Sequence, residues 1–124
     1  MRHDLPGKNI LHGKGIQDGI LDLRATIPIR FVIADGIVAM EGNGPLNGTP
    51  RPLGNIVLAD DPVAADATCA RLMGLEPDRI AHIYEGSRFI GNGSPSLIDQ
   101  VGDTVDTPAT PFRVVPEFQY LRAF

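Results

Sequence analysis

Asp35, Glu41, Asp60 and Asp61 are the residues whose positions best suit chemistry, because Asp35, Glu41 and Asp60 each follow a short apolar run, Asp61 adjoins Asp60, and Glu41 opens a glycine-rich stretch. The runs are "RFVIA" ahead of Asp35, "GIVAM" ahead of Glu41 and "NIVLA" ahead of Asp60. If the strands before Asp35 and Asp60 lie parallel in one sheet, their carboxylates gather at its carboxyl edge, where open α/β sheets bind ligands. Convergent oxygens, with Asp35 and Glu41 as the metal ligands, suit a hard divalent cation such as Mg²⁺ or Ca²⁺. They also suit acid/base work in which one carboxyl is raised by its neighbour. Each residue has a plainer reading as well: Asp35 as a turn former, Glu41 as a solvated charge, and Asp61 as the N-cap of a helix with Pro62 at N1.

The stretch "EGNGPLNGTPRPLG", residues 41–54, holds four glycines, three prolines and two asparagines. Read as a glycine-rich loop, it offers unhindered backbone N–H groups at Gly42, Gly44 and Gly48, with Asn43, Thr49 and Arg51 close by. Successive amides form a concave nest and arginine supplies a bidentate fork, a combination able to cradle an anion. The spacing is neither the dinucleotide fingerprint nor the P-loop. The three histidines have no metal-site spacing, and Ser94 and Ser96 have no histidine near them in sequence. Cys69, the single cysteine, excludes an internal disulfide and reads as a packed thiol on a helix.

The elements that must position these residues follow from periodicity. Ile16, Ile20, Leu23 and Ile27 recur at helical spacing up to Pro28. Residues 31–34 and 55–59 read as strands buried on both faces, and Asp35-Gly36 as a hairpin turn, with a bulge in one long strand as the alternative. "DDPVAADATCARLMG" is a helix with Gly74 at its left-handed C′ position, and its alanines let it approach a sheet closely. "EPDRIAHIYEG" is a second helix ending at Gly86, and residues 112–115 a last strand. The expectation is one α/β domain over residues 1–124, a small mixed sheet with helices packed on it, preceded by an arm at residues 1–9.

With 124 residues, 43% hydrophobic and 21% charged, the chain suits one soluble domain. Eleven basic against fifteen acidic residues, a formal charge of -4, leave no basic patch for nucleic acid. No apolar run approaches the length of a membrane span and no signal peptide opens the chain, so the expected compartment is the cytoplasm.

The ordered blocks "DGIVAMEGNGP", "GTPR" and "LADDPVAADATCARLMG" resemble the domain of unknown function 362, over about residues 12–102. The resemblance implies that the glycine-rich block is a hallmark and that the chain corresponds to the C-terminal half of a longer domain. It also implies an association with iron–sulfur proteins. One cysteine cannot hold a cluster, so the cluster would sit on a partner or a fused domain. That family has no settled reaction.

Two readings of function follow. In the first, a ligand-binding or catalytic domain of a redox-associated protein holds a small anion or a divalent cation among Asp35, Glu41, Gly42, Asn43, Gly44, Thr49, Arg51 and Asp61. In the second, a non-enzymatic interaction module completes its fold as a homo-oligomer or on a partner chain. The residues do not choose between enzyme and module.

Overall fold

The computed structural model describes residues 15–105, 108 and 110–124; the expected arm at residues 1–9, with His3 and His12, lies outside the described residues. The element order is α1 (Ile16–Thr26), β1 (Val32–Asn43), β2 (Asn47–Ala59), α2 (Pro62–Leu72) and α3 (Ala81–Phe89). Short 3₁₀ turns lie at Pro77–Arg79, Pro95–Leu97 and Pro116–Leu121. The α/β class is as the sequence indicates. No described helix is long and apolar enough to cross a membrane.

Helix α1 forms where the periodicity places it, with Asp18 in its first turn and Arg24 in its last, each complementing the helix dipole. Pro28 has no N–H to continue the ladder, so the chain turns out after Ile27. Its apolar stripe is nonetheless half exposed at Ile16, Ile20 and Leu23, and the buried residue of the helix is Gly19.

The two strands form one antiparallel hairpin, paired from Val32 with Ala59 at its base to Asn43 with Asn47 at its tip. This corrects three expectations. The strands are antiparallel, so no shared carboxyl edge exists. The stretch 41–54 is no loop: most of it is strand, and only residues 44–46 turn. Asp35-Gly36 is not the hairpin turn but lies inside β1 beside a bulge, the alternative reading of that dipeptide. Between the pairs Gly36–Asn55 and Val38–Pro52, β1 contributes Ile37 alone while β2 contributes Leu53 and Gly54. Gly54 has φ +77°, a conformation that costs an L side chain about 1–2 kcal/mol, which is why glycine stands there. Across the bulge the alternation slips by one, so the inward positions pass from Val32, Ala34 and Gly36 to Ala39 and Glu41.

Among the described residues, neither strand is covered on both faces. Helix α2 packs on the inner face, which carries Val32, Ala34, Val57 and Ala59. The outer face carries Phe31, Ile33, Ile37, Ile56 and Leu58, all more than half exposed. The buried core lies elsewhere: Val63, Ala67, Ala70, Leu75 and Ile83, with Met73, Ile80, Val114 and Leu121 packed against it. Alanine supplies four of the buried hydrophobic positions, Ala64, Ala65, Ala67 and Ala70, so this core holds little volume for its residue count.

Helix α3 runs through Gly86, where a stop was expected, and continues to Phe89. Gly86 is buried where α3 crosses α2, with Val63 and Leu21 nearest to it. The Gln17 side-chain oxygen on α1 accepts the His82 backbone N–H at 3.0 Å, while His82 Nε2 lies 3.4 Å from Asp66 Oδ2 on α2. His82 thereby links the three described helices. Residues 112–115 form no strand. They cross as an extended segment held by Phe112 N–H to Met73 O and Gly42 N–H to Arg113 O. Farther on, Glu76 N–H donates to Leu121 O and Ala123 N–H to Gly74 O, tying the C-terminal segment to the end of α2.

Candidate functional site

Glu41 and Arg51 do meet. The bulge turns Glu41 inward, and the pairing of Ala39 with Arg51 and of Glu41 with Thr49 sets the two charged residues diagonally on that face. Arg51 Nη1 donates to Glu41 Oε2 at 3.0 Å and to Pro111 O at 3.2 Å, and Nη2 donates to Thr110 O. The guanidinium lies over the buried Phe112 ring, 4.5 Å from its centre. Arg113 completes the cluster: its backbone N–H donates to Glu41 Oε2 at 3.0 Å and its Nε to Oε1 at 2.8 Å. The Arg113 N–H and the Arg51 guanidinium hold the Glu41 carboxyl down at about 2 from its ordinary 4.5, overcoming the opposing effect of desolvation. The Glu41 carboxylate is therefore a clasp between the hairpin tip and residues 110–113.

The remaining residues proposed from sequence are dispersed. Asp35 stands six residues from Glu41 along β1, roughly 20 Å at strand rise, and points to the outer face. Its Oδ1 accepts the N–H of Ile37, the residue left unpaired by the bulge, at 2.9 Å. Among the described residues no three His, Cys, Asp or Glu side chains converge as a metal site. Asp61 caps α2: Oδ1 accepts Val63 N–H at 2.8 Å and Ala64 N–H at 3.4 Å. Its second oxygen accepts Asn92 N–H at 2.7 Å, which fastens the segment after α3 to the start of α2. A Cβ at Gly91 would collide with that carboxylate and with Val63, so glycine is the residue that permits the approach. The Gly42 amide is spent on Arg113 O, and Gly42 and Gly48 face each other in the ladder. Asn43 and Asn47 close the ladder before the turn at residues 44–46, which contains a cis Gly44-Pro45 bond.

Cys69 is half-buried on α2, and burial, with Asp66 adding to it, pushes its thiol above the ordinary range. This fits a packed thiol. Sequence reasoning missed Phe112, Arg113 and Asn92. Arg113 lies 72 residues from Glu41 and carries no local pattern that marks it.

Residues 3–71 match the model of a domain of unknown function (DUF362), more than half of the 124 residues, and the chain belongs to that family. Of the described elements, the match takes in α1, the whole hairpin and α2 up to its penultimate residue. The chain is also similar to a thylakoid-associated protein of Synechocystis sp., 42% identical over 48 residues. That stretch is 39% of this chain and 15% of that much longer protein. No solved structure matches the chain.

Proposed function

We propose that this chain is an interaction module that completes its fold by pairing with a second copy of itself through the outer face of the hairpin. The observation that carries the reading is the bare apolar face of Phe31, Ile33, Ile37, Ile56 and Leu58, set against a buried core in which no large side chain is fully enclosed. Patches of this kind on soluble proteins mark interaction surfaces. The polar residues that would compose an alternative ligand site are engaged inside the molecule, Glu41 and Arg51 with the C-terminal segment and Asp61 with α2.

A face rather than an edge is the surface to use. Pro50 and Pro52 have no N–H to offer along one end of β2, and Arg113 already holds β1 at Gly42. A two-fold contact presents the same five side chains twice. At about 1 kcal/mol or more for each half-exposed side chain removed from water, the gross gain approaches roughly 10 kcal/mol. Against the lower estimates of the association cost, on the order of 4 kcal/mol, that leaves a net of about 6 kcal/mol, a dissociation constant on the order of tens of micromolar. The redox association implied by the family resemblance enters through a partner or a fused segment that carries the cluster.

The test is light scattering with size-exclusion chromatography at loading concentrations of a few hundred micromolar, roughly tenfold above that dissociation constant. Ile33 and Leu58 face each other across the hairpin, so I33K with L58K places two charges at the centre of the patch. The expected result is a dimer for the unmodified chain and a folded monomer for the double variant. A stable monomer of the unmodified chain that binds no hydrophobic dye contradicts the reading.

A further inference from the structure

Gly44 opens the hairpin turn and Gly48 lies just beyond it, and a Cβ at either would collide with the Met40 sulfur. Unlike Gly42 and Gly54, neither has a positive φ, so the backbone conformation there does not call for glycine. What calls for it is room: the two glycines form a bare seat on which the Met40 thioether lies. Met40 pairs with Pro50 and Gly48 with Gly42, so the methionine reaches diagonally across the ladder toward the tip. The residue is nonetheless 50% exposed. The other sulfur-bearing side chains among the described residues are less open. Met73 is packed against the core. Cys69 is half-buried, and burial pushes its thiol up, so it holds little of the thiolate that reacts.

We infer that Met40 is an oxidation site, a thioether that a hydroperoxide converts to the sulfoxide with release of the hairpin tip. Sulfur gives an electron pair to one peroxide oxygen, and the S–O bond forms as the O–O bond breaks. The sulfur is oxidised and the peroxide reduced; the leaving oxygen takes the proton of the transferred hydroxyl and, from hydrogen peroxide, departs as water. A flexible apolar side chain becomes a polar, chiral one. The sulfoxide is larger and strongly hydrated, and a seat with no space for a methyl group beside the sulfur cannot adapt to it, so the side chain leaves the glycines for water. Met40 directly precedes Glu41 and the Gly42 N–H that donates to Arg113 O, so its departure loosens the grip of the tip on the C-terminal segment.

The inference does not rest on self-association. The experiment treats the full chain with hydrogen peroxide at about 1 µM protein, well below the dissociation constant of the dimer. Peptide mass spectrometry locates the oxygen and amide exchange follows the tip. Met40 should be converted while Met73 and Cys69 stay reduced, and exchange of the Gly42 and Arg113 amides should rise at least about fivefold, the factor that corresponds to about 1 kcal/mol. Methionine sulfoxide reductases, one for each epimer, should restore both the mass and the slow exchange. M40L keeps the volume without the oxidisable sulfur and should show no peroxide response at those amides. G48A, whose Cβ displaces the sulfur, should raise exchange there without any oxidant; if circular dichroism shows that it unfolds, G44A serves in its place. The I33K and L58K double variant should respond to peroxide like the unmodified chain. Oxidation of Met73 or Cys69 ahead of Met40, oxidised Met40 with unchanged exchange, a peroxide response that persists in M40L, or unchanged exchange in the folded glycine variant would each overturn the inference.

Discussion

At the scale of single residues, the acidic side chains that looked most chemical are spent on holding the chain together. Glu41 shows this most clearly, since three N–H donors from two arginines converge on one carboxylate. Its depressed pKa has a definite consequence for stability. A carboxyl held near 2 when folded and at 4.5 when unfolded favours the folded state fully above about pH 5. That contribution is lost progressively as pH falls from about 4.5 to about 2. The prediction is that acid titration followed by circular dichroism shows a loss of stability in this window, and that E41Q, which lacks the titrating group, is flatter there. At neutral pH, E41Q should cost about 1–3 kcal/mol in chemical denaturation, the range for charge-assisted hydrogen bonds that keep some solvent access. Equal stability of the variant at pH 7 would show that the clasp contributes nothing. Asp35 should behave in the opposite way. It places a charge amid Ile33, Ile37 and Ile56 on the outer face. D35N keeps the acceptor for Ile37 N–H and removes the charge, so sedimentation should find tighter self-association; weaker association would place Asp35 in a favourable contact across the interface.

At the scale of elements, two devices set the geometry. The first is the β2 bulge, which slips the alternation by one and so turns Glu41 inward to meet Arg113. G54A should cost about 1–2 kcal/mol, because alanine resists a φ of +77°, and amide exchange should rise first at the hairpin tip and at residues 110–113. Unchanged exchange there would mean that the tip and the tail are not coupled through the bulge. The second is the Asp61 cap, which serves helix α2 and the segment after α3 together. Replacing it with alanine removes both, and D61A should lose about 2 kcal/mol or more, at the upper end for an N-cap, because Asn92 N–H is orphaned as well. A loss below 0.5 kcal/mol would show water replacing both contacts.

At the scale of the whole molecule, five buried core residues between the helices carry the packing while the hairpin's outer face and the α1 stripe stay open. That imbalance leaves an exposed apolar sheet face and an apolar groove on opposite sides of one strand. What the sequence by itself determined was local. Helical periodicity and Pro28 defined α1, Asp61-Pro62 and Gly74 bracketed α2, and apolar runs marked two strands, because propensity, capping and proline geometry act over a few residues. The α/β class was legible on the same grounds. The tertiary structure alone decided strand direction, which depends on where the chain reverses, and here a three-residue turn at residues 44–46 competed with the Asp-Gly signal and prevailed. It alone decided that Glu41 and Arg51 meet Arg113 and that Asp35 meets neither, because those partners are far apart in sequence and come together only through the bulge and the returning C-terminal segment. Sequence pattern reports which faces want burial; whether anything covers them is settled by the packing of the whole chain, and on the outer face of this hairpin nothing in the described chain does.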